Sequence, residues 1–148
     1  MRITYNESDD PLSYGRWEGR VKKVLSGRPG RAALRELEDV LEAMPVKELI
    51  ADELCDSQGR VCALGAWHAA KRGIAETRAL ALRMGDEPDS NEVSHALMPV
   101  LPITETLGWL IQDANDELSR WPNPKLTPAE RHAFMLRWIR SKLAARPL

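Results

Sequence analysis

The stretch RAALRELEDVLEAM, residues 31–44, decides the fold class of this chain. Its apolar residues recur every three or four positions, so they share one face of an α-helix, while the charged residues occupy the other face. That apolar face consists of Ala33, Leu34, Leu37, Val40, Leu41 and Met44. Pro45 ends the helix, because proline cannot donate the next backbone hydrogen bond. The pattern predicts a helix that buries one face against other helices.

The clearest helix start lies near the other end of the chain. The segment Thr127-Pro128-Ala129-Glu130 combines a capping box with proline at the first helical position. The apolar stripe that follows contains Met135, Leu136, Trp138, Ile139 and Leu143. We therefore predict that this last helix and the helix at 31–44 form the centre of the fold.

Apolar periodicity and Gly or Pro breaks predict the remaining helices. Their predicted ranges are 11–25, 61–72, 74–84, 90–98 and 104–118. The segment Ser26 to Gly30 is predicted to end the first, and Ser90 or Asn91 to cap the helix at 90–98. The sequence thus predicts one all-α domain of six or seven helices over residues 11–148, preceded by a loose arm at residues 1–10.

Residues 46–67 fit two structures. A buried helix at 61–72 is favoured, because alanine is frequent there and the apolar pattern continues beyond Trp67. The alternative is a short β-hairpin near 48–63, which would pair 48–55 with 60–63 around the turn signal Asp56-Ser57-Gln58-Gly59.

Composition excludes several classes of protein. Hydrophobic residues make up 43% and charged residues 29% of the chain, which is ordinary for a globular domain and argues against wholesale disorder. No apolar run approaches the roughly 18–20 residues that a membrane span requires. The N-terminus is polar, and two cysteines are too few for a disulfide scaffold. These features predict a cytoplasmic protein with no membrane partner.

The charges are segregated along the chain. Residues 1–35 carry eight Lys or Arg against four Asp or Glu, and residues 121–148 carry six against one, whereas the middle is acidic. The favoured interpretation is that the basic ends pack beside acidic helices. The alternative is an open basic face that binds nucleic acid. Its candidate residues are Arg16, Arg20, Lys23, Arg137 and Arg140.

The residues able to do chemistry are sparse. Cys55, Cys62 and His68 lack the short ligand pairs of a structural zinc site, so no metal and no cofactor is predicted. Cys62 lies in an apolar run, and we expect it to be buried and unligated. No nucleophile with a nearby base can be assembled from the sequence, so an enzyme is the least supported class.

The acidic segment at 105–117 is the candidate site. Asp116 and Glu117 come where a helix ends, and negative charge there is unfavourable by roughly 0.3–1 kcal/mol per charge. One interpretation is that Arg120, or an arginine of the last helix, neutralises them. The other is that the patch holds a divalent metal or forms a contact surface for a basic partner protein, with tryptophan as its anchor. The predicted partner-binding residues are Trp109, Asp113, Asp116, Glu117 and Trp121.

Several segments resemble a family of small phage, prophage and bacterial proteins with no established function. Arg28 to Trp67, RPGRAALRELEDVLEAMPVKELIADELCDSQGRVCALGAW, is similar to that family's "LREL", "AMP" and "VCALGA" elements. QDANDEL at 112–118 and LTPAERHAFMLRWI at 126–139 are similar to its "NDE" and "TP-x-x-R" elements. This chain departs from the pattern at 85–104. The resemblance implies a phage-type protein and implies no activity.

These observations predict a non-enzymatic phage-type accessory or host-modulating protein that binds another protein. The first alternative is a nucleic-acid-binding protein that uses its basic terminal helices. A metal-dependent enzyme is the third and least supported alternative.

Overall fold

The computed structural model describes residues 11–117 and 125–145, which form an all-α fold as the apolar periodicity predicts. The seven helices within these ranges are α1 (Pro11–Ser26), α2 (Arg28–Ala43), α3 (Ala63–Arg72), α4 (Ile74–Met84), α5 (Ser90–Leu97), α6 (Glu105–Asp116) and α7 (Pro128–Ala144). The predicted arm at 1–10 lies outside the described residues. None of the helices described combines the length and the hydropathy needed to cross a lipid bilayer.

Helix α2 is the centre of the fold, because it packs against α1, α3 and α7. Leu34, Leu37 and Leu41 on its predicted apolar face are completely buried. Trp67 of α3 is also completely buried, and its indole N–H donates to Glu36 Oε2 of α2 at 2.9 Å. A buried indole that has an acceptor for its N–H satisfies its polar atom while it fills the core.

The break between α1 and α2 is shorter than predicted. Only Gly27 separates the two helices, and Pro29 and Gly30 lie in the first turn of α2. A Cβ atom on Gly30 would lie 1.7 Å from the carbonyl oxygen of Val24, so only glycine allows the two backbones to approach this closely. Proline is compatible with a first helical turn, because the backbone N–H groups there have no partner within the helix.

Two side chains join α2 to α7 by hydrogen bonds to backbone carbonyls. The Arg31 guanidinium donates to the carbonyl oxygens of Leu143, at 2.6 Å, and Ala145, at 3.2 Å, at the C-terminus of α7. Those carbonyls have no partner within the helix, and a positive charge favours the negative end of the helix dipole. His132 Nε2 lies 2.8 Å from the carbonyl oxygen of Leu41 in the core.

Charge also joins the two helices on the surface. Arg140 of α7 forms an ion pair with Glu38 of α2 at 2.9 Å and a second ion pair with Glu42. This arrangement confirms, for the last helix, the prediction that the basic ends of the chain lie against acidic helices. Helix α1 packs beside α2 and α6.

The segment between α2 and α3 contains much less β-structure than the hairpin alternative predicts. Its only β-pairing is one antiparallel bridge between Cys55 and Val61, around a turn in which Gly59 has a φ of 79°. The predicted helix forms, but it begins at Ala63, after Cys62 caps it by accepting a hydrogen bond from Gly65 N–H at 3.4 Å.

Side-chain caps fix the starts of the other helices. The capping box that the sequence predicts for α7 is present, with Thr127 and Glu130 bonded to each other's backbone N–H groups. Thr104 caps α6 and Asp89 caps α5, and each side chain accepts a hydrogen bond from one backbone N–H group. The cap of α5 therefore precedes the predicted Ser90 or Asn91 by one or two residues, because the Asp89 carboxylate accepts from Glu92 N–H at 2.9 Å.

Candidate functional site

A cluster of buried polar side chains lies where α6 ends. We call it the Asn115 cluster, and its members are Asn115, Asp116, Glu117 and, from α7, Arg131. The chain leaves α6 through Glu117, which has the left-handed φ of 62° that is uncommon for a residue other than glycine. Buried polar groups persist only when they have hydrogen-bond partners, so those partners indicate what the cluster does.

Asn115 joins α6 to the segment between α2 and α3. Its Oδ1 accepts from Ala63 N–H at 3.0 Å, at the first residue of α3. Its Nδ2 donates to the carbonyl oxygen of Ile50 at 3.0 Å and to Asp116 Oδ1 at 2.7 Å. One buried amide thus satisfies one backbone group within the irregular segment between α2 and α3 and another at the start of α3.

Glu117 is neutralised by an arginine of the last helix, as one interpretation of the sequence predicts. Arg131 Nη2 lies 2.8 Å from Glu117 Oε1, and both side chains are almost completely buried, at 3% and 4% exposed. Arg131 also donates to the carbonyl oxygens of Asn115 and Leu126, at 2.8 and 3.2 Å. A buried ion pair with further hydrogen bonds of this kind is a structural connection between α6 and α7.

Asp116 is the least satisfied member of the cluster. Its Oδ1 accepts from Asn115 and, at 3.1 Å, from Asp52 N–H. Its Oδ2 is buried and has no hydrogen-bond partner among the described residues. Burial raises the pKa of Asp116 to about 6, because the charged form is poorly solvated there.

Two of the residues predicted to bind a partner, Asp116 and Glu117, are buried in the fold. Asp116 is 9% exposed and Glu117 is 6% exposed, so neither offers a charge to a partner at the surface. The sequence could not distinguish a solvated helix end from a buried one, because the ion-pair partner, Arg131, lies on another helix. Asp113, also predicted, is half-buried on α6.

Trp109, one of the two predicted tryptophan anchors, takes part in packing between helices. Trp109 is half-buried and packs edge-on against Trp17 of α1, with ring centroids 5.0 Å apart and planes at 89°. This geometry is a favourable arrangement for two aromatic rings and joins α1 to α6. Trp121 lies outside the described residues.

The residues proposed to bind nucleic acid are divided between two helices. Arg16, Arg20 and Lys23 are exposed on α1, and their spacing of four and three residues places them on one face. Arg137 is exposed on α7, but Arg140 is engaged by two carboxylates of α2. The five residues therefore differ in their surroundings and are not equally available to nucleic acid.

Both cysteines are buried, as expected for Cys62. Burial raises the pKa of the Cys62 thiol to about 12, so it stays protonated at neutral pH. Among the described residues, no three His, Cys, Asp or Glu side chains lie close enough together to hold a metal ion.

An open cleft of about 580 Å³ lies beside α4, and we call it the α4 cleft. It is lined by residues 52–57 with Arg60, by Gly85, Asp86 and Pro88 of the loop after α4, and by Val93 of α5. Helix α4 contributes Arg78, Ala81, Leu82 and Met84. A volume of this size is within the usual range of roughly 300–1,000 Å³ for ligand sites.

The apolar side of the α4 cleft is open to solvent. Leu82 is 77% exposed, the largest exposure among the large hydrophobic residues described. Ala81 and Met84 beside it are half-buried, while Pro88 and Val93 are buried. The cleft therefore offers an apolar surface that deepens from an exposed edge towards the core.

Sequence reasoning missed this cleft, although α4 carried a usable signal. Leu80 and Leu82 are two residues apart, so they project about 200° apart around a helix. A helix that buries one face cannot bury both side chains. The structure buries Leu80 in part and leaves Leu82 in solvent.

Comparison of the chain with protein-family models, curated proteins and solved structures finds no match. The resemblance to the phage and prophage family therefore remains a prediction.

Proposed function

We propose that this chain is a non-enzymatic binding protein, of the phage accessory or host-modulating type, which acts in the cytoplasm by holding a segment of a partner protein in the α4 cleft. The observation that carries this proposal is Leu82, a large apolar side chain that is 77% exposed at the edge of a cleft. The proposal keeps the predicted mode of action and moves the contact surface from α6 to α4.

An exposed leucine alone needs no explanation, because much of any protein surface is apolar. Leu82 differs because it continues into the half-buried surface of Ala81 and Met84 within a concave site. A partner that covered Leu82 would gain roughly 1.5–3 kcal/mol from its burial. The concave shape allows a single partner side chain to make many of its contacts at once.

The size of the cleft favours a short segment over a large flat surface. A standard protein interface uses about 800 Å² and roughly 20–30 residues on each side. A cleft of about 580 Å³ instead matches the volume of a drug-sized ligand or a few side chains. We therefore expect recognition of a linear segment, with the weak and transient binding typical of small contacts.

The proposal is tested by selecting binders from a surface-displayed library of random dodecapeptides. The wild-type protein should enrich a set of peptides, and Leu82→Gln should lose that enrichment because it removes the apolar edge. Val46→Gln is the matched control, since Val46 is 61% exposed and lies outside the lining of the cleft. The proposed function is wrong if no peptide is enriched, or if Leu82→Gln enriches the same peptides as the wild type.

Nucleic-acid binding remains the second candidate, supported by the exposed face of Arg16, Arg20 and Lys23 on α1. Contacts between such a face and phosphates would make duplex DNA binding weaken steeply with salt. Titration with a DNA duplex at 50 and 200 mM salt tests it against a variant with all three residues changed to glutamine. Equal affinity of the two proteins would exclude this face as the binding surface.

A further inference from the structure

Carboxylates outnumber cations along the walls of the α4 cleft. Asp52, Glu53 and Asp86 are exposed there, the first two in the segment before Arg60 and the third in the loop after α4. A fourth carboxylate, Asp56, forms an ion pair with Arg60 at 2.7 Å, so these two charges largely cancel. Among the described residues, no ion pair engages Glu53 or Asp86.

The remaining cation of the cleft is held against its wall. Arg78 is exposed, and its guanidinium lies beside the thiol of Cys55. Its Nη2 also lies 3.1 Å from the position that a Cβ atom on Gly59 would take, which places the guanidinium against the turn at 56–60. The cleft therefore combines an apolar side formed by α4 with walls of net negative charge.

We propose that the occupant of the α4 cleft is a short basic segment, in which an arginine or lysine lies beside a large apolar side chain. This inference rests on the proposed function and specifies the chemistry of its partner. The apolar side chain would cover Leu82, while the cation would face Glu53 or Asp86. Leu82 and these two carboxylates line the same cleft, so a single short segment bound in it would lie near all three.

Charge complementarity at this cleft affects the choice of partner more than the affinity for it. Exposed carboxylates at a rim act through solvent, so they mainly raise the association rate and repel acidic segments. Screening shortens their range to about 8 Å at 0.15 M ionic strength. Binding should accordingly weaken with salt, while the contribution of Leu82 should remain, because burial of apolar surface does not depend on charge.

The test uses the dodecapeptides that the wild-type protein enriches from the random library. We expect them to carry net positive charge, with Arg or Lys next to Leu, Ile, Phe or Met. The double variant Glu53→Gln/Asp86→Asn should weaken the binding of the synthesised peptides about tenfold in fluorescence anisotropy. Asp39→Asn is the control, since Asp39 is an exposed carboxylate of α2 outside the cleft.

The outcomes separate this inference from the proposed function. The inference of a basic segment is wrong if the enriched peptides are neutral or acidic, or if they bind the double variant as tightly as the wild type. In that case, peptide binding that still depends on Leu82 would leave the cleft as the binding site. If enrichment does not depend on Leu82, both proposals fail. Peptides that are basic, sensitive to salt and dependent on both Leu82 and the carboxylates would support both.

Discussion

The Asn115 cluster and the α4 cleft use the same kinds of residue in opposite ways. In the cluster, Asp116 and Glu117 are buried and bonded to neighbouring segments, whereas Glu53 and Asp86 of the cleft are exposed. Acidic residues at a helix end can therefore be part of the protein's own framework. The partner surface that we propose begins instead at Leu82, an apolar residue that α4 leaves in solvent.

The two regions meet at one residue. Asp52 lines the cleft, and its backbone N–H donates to Asp116 Oδ1 of the cluster at 3.1 Å. Asp52 also has the left-handed φ of 68°, which costs energy for a residue other than glycine unless its surroundings hold it. The cluster therefore helps to hold the wall against which we propose that the partner binds.

The largest expected effect is on the buried ion pair. Arg131→Ala should lower the free energy of unfolding by about 3–5 kcal/mol, because it leaves Glu117 charged and buried without its cation. Urea unfolding measures the loss. Arg60→Ala, in the exposed ion pair beside the cleft, is the matched control and should cost less than about 1 kcal/mol. Similar losses in the two variants would remove the distinction between the regions.

Asn115→Ala should destabilise the protein by about 2–4 kcal/mol, because it leaves Ala63 N–H and the Ile50 carbonyl without their buried partner. Hydrogen exchange should show the greatest loss of protection at the segment between α2 and α3. Asn91→Ala is the control, since Asn91 makes no side-chain hydrogen bond to another described residue. A loss below about 0.5 kcal/mol for Asn115→Ala would show that this cluster does not hold that segment.

Asp116 should make the free energy of unfolding depend on pH. Its pKa of about 6 in the folded protein lies above the ordinary value of 3.8, so the folded state holds one more proton between these values. The contribution of this group is therefore most favourable at low pH and falls as the pH rises to about 6.

Asp116→Asn should remove that dependence and raise the stability at pH 7 by about 1 kcal/mol. The raised pKa means that the charged carboxylate costs about 3 kcal/mol in the folded protein. Asparagine removes this cost, but its buried amide N–H without an acceptor costs about 1–2 kcal/mol. Unfolding by urea at pH 4.5 and at pH 7 measures the difference between variant and wild type. A difference that is the same at both pH values would contradict the assignment.

The smallest effects on stability are expected in the cleft. Leu82→Gln and Glu53→Gln should each change the free energy of unfolding by less than about 0.5 kcal/mol, because both side chains are exposed. Thermal unfolding of the variants checks this directly. A large loss in either variant would mean that the cleft is part of the framework and would remove the basis for using these substitutions to test binding.

The helices could be predicted because their signals are local. The apolar stripe of 31–44 and the capping box at Thr127 depend on residues a few positions apart, and both are present in the structure. The short break at Gly27 was missed, because Pro29 and Gly30 punctuate a loop as readily as they begin a helix.

The candidate site could be predicted only in part, because its defining contacts join distant parts of the chain. Arg131 neutralises Glu117 across 14 residues, and Asn115 bonds to Ile50 across 65 residues. A motif at a helix end shows that partners are needed and leaves their identity open. The α4 cleft is formed by three separate segments, of which only α4 gave a sign in the sequence.

The packing of α2 against α7 affects when the core can form during synthesis. Their contacts link residues far apart in the chain, with Leu41 bonded to His132 across 91 residues and Arg31 to Leu143 across 112. A ribosome that adds about 5–20 residues per second needs roughly 5–20 s to make that length of chain. During this interval the nascent α2 displays an apolar stripe that its final neighbour cannot yet cover. The apolar stripe of α2 is therefore fully covered only after α7 has been made.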